Sequence, residues 1–197
     1  MFDSILRPGA LALVAALSLT ACDSGQPDDD GAGEEELITQ VTLSLSPSDG
    51  GAAQTIQANF DADGNNPTFS PSTLTLRPGV SYDGSIQLRD TFNDEDITEE
   101  IEEEAEEHLF RYTLSPSSAG TVRITDTESD YSSENENGGD FAVGLAFEVD
   151  VAPNASGTGM MEALLYHFDD APKTSSTATS DEIDVEVEFP VAFAAGS

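Results

Sequence analysis

From Leu37 onward the chain alternates apolar and polar residues with a period of two, the pattern of strands with one face in a core and the other in water. Leu37, Thr39, Val41, Leu43 and Leu45 share a face, as do Ile56, Ala58 and Phe60. Leu74 and Leu76 predict a short strand closed by Pro78-Gly79, and Val80, Tyr82, Ile86 and Leu88 the next. His108, Phe110, Tyr112 and Leu114 are in phase with one another. Val122 and Ile124 predict a short strand; Phe141, Val143, Leu145, Phe147, Val149 and Val151 predict a long one. Met160 to His167 is apolar on both faces, as a central strand would be. In the last strand Ile183, Val185, Val187, Phe189 and Val191 are assigned to the core, and Glu182, Asp184, Glu186 and Glu188 to water. About nine strands separated by Gly, Pro, Asn and Asp, with no βαβ alternation, predict an all-β fold. The expected architecture is an antiparallel immunoglobulin-like β-sandwich over residues 36–193.

One segment departs from this period. Asp96 and Glu99 have capping-box spacing, and Ile97, Ile101 and Ala105 recur every four residues, which predicts a short acidic helix over about 97–107. Acids in its first turn suit the helix dipole; Glu106 and Glu107 at its C-terminus oppose it. So short a helix needs its apolar stripe docked on the sandwich.

The first residues read differently. Arg7 precedes an apolar run of about ten residues, Ala10 to Leu19, which fits an export signal and is too short to span a bilayer. Leu19-Thr20-Ala21-Cys22 resembles the lipobox of bacterial lipoproteins: small residues admit a peptidase, and the thiol of the new N-terminus accepts the diacylglyceryl group. Residues 1–21 are therefore expected to be a signal peptide, and residues 22–35 the lipidated Cys22 with a flexible acidic tether. Membrane attachment would then rest on acyl chains, at about 0.8 kcal/mol per buried CH2. Cys22 is the only cysteine, so no intrachain disulfide is possible. Asp23, directly after Cys22, favours inner-membrane retention under enteric sorting rules, but the Asp28-Asp29-Asp30 run favours the outer membrane, and an outer-membrane lipoprotein is expected.

Charge narrows the partners. Acidic residues number 39 against 6 basic ones, and the net charge is −33. Such a chain repels nucleic acid and anionic headgroups, so no nucleic-acid partner is expected. Two explanations of the acidity stand: adaptation to a salt-rich medium, or cation binding. The first predicts stability that climbs with bulk KCl as repulsion is screened; the second predicts saturation by one ion at low concentration.

Candidate chemistry centres on the only two histidines. At helical spacing Glu104 and His108 lie near the direction of Ile97, and their side chains are four residues apart, so they can meet. His108 and His167 both point inward at strand ends. With Glu104 they form a candidate site for Zn2+ or Cu2+. The alternative is a Glu104–His108 ion pair with a separate, half-buried His167. Two acidic turns supply a weaker calcium pattern: Asp61 and Asp63 in one, Asp126, Glu128 and Asp130 in the other. Neither fits an EF-hand: the first is too short, and the second lacks the glycine and the terminal glutamate. No G-x-S-x-G, P-loop, H-E-x-x-H or G-x-G-x-x-G occurs, and a lipidated Cys22 is no nucleophile, so a non-enzymatic protein is expected.

Several strings carry a family likeness: EEELIT at 34–39 followed by TLSLSP, then DADGNNP, LRPGVSYDGSIQL, EDITEEIEEEAEEH at 95–108, Leu165-Tyr166-His167 and EIDVEVEF. Together, over about residues 34–191, they resemble small bacterial lipoproteins labelled "type 1 periplasmic binding fold superfamily protein". The resemblance implies an envelope lipoprotein accessory to an outer-membrane receptor, with histidine usual at the positions of His108 and His167. The chain departs from the family in a shorter DADGNNP loop and in Glu128, where aspartate is expected. The label names a two-lobed α/β fold about twice this long, and the strand pattern here is all-β instead.

Overall fold

The strongest alternation becomes the first wall of a sandwich. β1 (Gln40–Pro47) turns Val41, Leu43 and Leu45 inward, fully buried, between β2 (Gln54–Asn59) and β5 (Ser81–Arg89). Leu43 sits opposite Ile56 on one side and Ile86 on the other, so one core layer crosses three strands. β3 (Thr68–Ser70), β7 (Gly120–Ile124) and β8 (Ala146–Val151) complete a six-stranded sheet in the order β3-β2-β1-β5-β8-β7. Facing it stand β4 (Leu74–Leu76), β6 (His108–Ser115), β9 (Gly157–His167) and β10 (Glu182–Phe193), in the order β4-β10-β9-β6. Every pairing between these strands is antiparallel except β4 with β10. This is an all-β sandwich, with ten strands among the described residues. The apolar run at 160–167 is central, as its two-sided pattern requires.

The computed structural model describes residues 37–61, 66–131, 138–168 and 171–194. The signal segment, Cys22, the tether and Asp63 lie outside the described residues. No helix among the described residues is long and apolar enough to cross a membrane.

Helix α1 (Ile97–Glu103) is docked as its stripe demands, with Ile97, Ile101 and the following Ala105 buried. The Asp96 carboxylate accepts from Thr98 N, and Thr98 Oγ1 bonds both the N–H and the carbonyl of Leu88 on β5. The helix stops at Glu103, short of 107. Glu106 and Glu107 would have placed negative charge on the negative end of the dipole.

Four strand expectations change. Leu37 precedes β1 and is 43% exposed. β3 was not foreseen; its single large apolar residue, Phe69, packs edge-on against Phe189 of β10. The strand expected from Phe141 begins only at Ala146. Gly144 interrupts it with φ +99°, where a Cβ would lie 2.6 Å from Phe110 Cβ. The fourth change is in β10. Ile183 is exposed at 45%, while the side chain of Asp184, assigned to water by the alternation, is 1% exposed. Ile183 pairs with Tyr166 and Val185 with Leu165, so Asp184 is an extra residue in a β-bulge, and the inward and outward phases exchange there.

Candidate metal centre

His108 opens β6 and His167 closes β9, and antiparallel pairing sets the two directly opposite each other. Their rings stack with centroids 4.5 Å apart and planes at 28°. Both are buried, His108 fully and His167 to within 2%. Glu104, half-buried, caps the C-terminus of α1. One ligand atom from each of Glu104, His108 and His167 lies within 4.8 Å of the other two. Among the described residues no other group of three such side chains converges in this way. Tetrahedral coordination at metal–nitrogen distances of 2.0–2.1 Å wants about 3.4 Å between ligand atoms, so closing on an ion needs roughly 1 Å of side-chain rotation.

Hydrogen bonds orient both rings. His108 Nδ1 lies 3.2 Å from the Glu104 carbonyl, an acceptor only, so Nδ1 carries the proton and donates. His167 Nδ1 lies 3.2 Å from Asp184 Oδ1, and an ionised Asp184 fixes the same tautomer. An imidazole that donates from Nδ1 and carries no second proton presents Nε2 as its Lewis base. A carboxylate or carbonyl on the far nitrogen is the usual outer support of a metal-binding histidine. His108 Nε2 also lies 3.6 Å from Asp184 Oδ2.

Asp184 is the residue that period-two reading missed. Its signal was invisible in the sequence, because a bulge carries no fixed residue type. Lys173 is the second. As the sole lysine of a strongly acidic chain it stood out in composition, and it is fully buried. Its Nζ donates to the carbonyls of Ala105 and, at 2.6 Å, His108, and stands 3.3 Å from Glu128 Oε1. Lys173 N donates to Glu106 O and Phe168 N to Glu107 O. The segment after β9 therefore binds the carbonyls between α1 and β6 and holds Glu104 and His108 in place. Burial lowers the Lys173 ammonium below its ordinary pKa, and Glu128 opposes that shift.

The calcium pattern is placed otherwise. Asp61 is exposed. Asp126 accepts from Gly144 N, Ala146 N and the Tyr131 hydroxyl. Glu128 accepts from Phe141 N and pairs with Lys173. Asp130 accepts from Thr127 N and caps the short 3-10 helix Glu128–Asp130. The three carboxylates of this turn point to separate partners and do not join a ligand group.

No protein-family model matches the chain, and no curated protein matches it. The likeness to small envelope lipoproteins therefore rests on the motifs alone.

Proposed function

We propose that this protein is a non-enzymatic, lipid-anchored β-sandwich of the bacterial envelope that holds a divalent transition-metal ion between Glu104, His108 and His167. The observation that carries the reading is the convergence of these ligand atoms within 4.8 Å, from a helix end and two strand ends. Two imidazole nitrogens and a carboxylate favour Zn2+ or Cu2+ over Ca2+, which takes six to eight oxygens. Three protein ligands leave a position open for water or a handed-over ligand. The lipobox at Cys22 and the tether support an anchor at the outer membrane, on which the domain serves as an accessory to a receptor.

The test is titration of the mature, untagged chain with Zn2+ and Cu2+ by calorimetry. One ion per chain at micromolar affinity or better is expected. His108→Ala and His167→Ala each remove a ligand and should weaken binding by more than the roughly 100-fold that an outer-shell loss brings. No micromolar binding by the wild-type chain would sink the metal reading. Co-purification of a receptor with the metal-free chain would leave the accessory role standing alone.

A further inference from the structure

β6 and β7 are the edge strands of the two sheets, and a cleft of about 470 Å3 opens between them. That is within the size range of small-molecule sites. Arg111 on β6 and Arg123 on β7 both line it, two arginines in a chain with only six basic residues. Arg77 pairs with Asp49, Arg89 with Asp94, Arg123 with Glu148, and Lys173 with Glu128. Among the described residues Arg111 alone of the arginines and the lysine has no carboxylate partner. It is half-buried, in a protein where acids outnumber bases 39 to 6. A guanidinium presents five N–H donors in a planar fork that matches a carboxylate.

The rest of the lining agrees. Asp126 is the one acid there, and its three donors turn its charge inward. Ser176 Oγ accepts from Ala142 N, which leaves its hydroxyl hydrogen to donate into the cleft. Tyr112, Val122 and Ile124 give an apolar side. We propose that this cleft binds a small organic carboxylate, its head on the Arg111 fork and its apolar body against Tyr112, Val122 and Ile124. The site is separate from the histidine centre and independent of the metal reading.

Benzoate is a suitable probe, with benzyl alcohol as the uncharged body. The metal-free mature chain is titrated by amide-resolved NMR at about 0.5 M KCl, where long-range repulsion from the acidic surface is screened. Saturable shifts are expected at residues 111, 123–127 and 176–177. Benzyl alcohol and the Arg111→Gln variant should each bind at least about tenfold more weakly, the loss of one charged, bidentate contact. Arg111→Lys keeps the charge without the fork and should fall between, which guards against a folding defect in Arg111→Gln. Absence of saturable shifts, equal binding of benzyl alcohol, or undiminished binding by Arg111→Gln overturns the proposal.

Discussion

In the turn at Asp126–Asp130 each carboxylate accepts hydrogen bonds or pairs with a cation: backbone N–H groups, the Tyr131 hydroxyl, whose pKa burial raises, and the Lys173 ammonium. At the histidine centre the buried carboxylate of Asp184 faces two imidazoles, whose nitrogens serve as donors or as Lewis bases according to what they hold. Both regions are acidic; Asp126, Glu128 and the Asp184 side chain are buried, whereas Asp130 is exposed. In the first, the carboxylates are engaged by backbone N–H groups, a phenol and an ammonium. In the second the carboxylate faces imidazoles, a type of group that can exchange a proton for an ion at the same atom. The number of carboxylates alone does not single out a candidate ligand group; the side-chain chemistry that faces them does.

The largest effect that separates the two regions comes from Lys173→Ala. It leaves Glu128 buried without its ammonium and frees the carbonyls of Ala105 and His108. Removing one member of a buried pair costs about 3–5 kcal/mol, so denaturant unfolding should show a loss of that order. The same lysine sets a pH dependence. Its folded pKa is lowered, so the unfolded chain binds the extra proton between the folded value and the ordinary 10.5. The burial penalty is fully present below the folded value, and stability therefore rises with pH across that window. The tyrosines oppose this above pH 10, because Tyr112 and Tyr131 are both raised by burial. A thermal midpoint that rises toward pH 10 in wild type and stays flat in Lys173→Met would establish the lysine as its source.

Next in size is Asp184→Asn. If Asp184 orients His167, Zn2+ affinity should fall by about 10–100-fold, or 1.4–2.7 kcal/mol, with the ion still bound by two nitrogens in Cu2+ spectra. Wild-type affinity in this variant would reduce Asp184 to packing. The smallest effect distinguishes the ions. Millimolar Ca2+ should leave the thermal midpoint where an equal ionic strength of KCl puts it, whereas micromolar Zn2+ should raise it. A saturable calcium response would reopen the acidic turn.

The alternation made the two walls legible, since Val41, Leu43, Leu45, Ile56, Ile86 and Leu88 needed only a period of two to be placed inside. It faltered where the backbone leaves that period. Thr68–Ser70 holds one large apolar side chain, too few to show a period. Gly144 breaks the strand expected from Phe141, because the close approach of Phe110 leaves no room for a Cβ there. In β10 the alternation runs cleanly on paper, and a single inserted residue reverses it at Ile183 and Asp184. The inward direction of the two histidines was readable from phase alone. Their proximity was not, because it depends on the register of β6 against β9, fixed by the packing of the whole sheet.

The pairing of His108 with His167 has a mechanical meaning. β6 is an edge strand, and its first residue stands at the end of its ladder with β9, where Phe168 and Lys173 bond the carbonyls of Glu107 and His108. An ion shared by both imidazoles would add a clasp at that end of the ladder, tying together positions 59 residues apart in sequence. Amides at the start of β6 and the end of β9 would then exchange with solvent only when the clasp releases. The rate of metal loss, rather than the strength of the ladder, would govern how often this edge of the sheet opens.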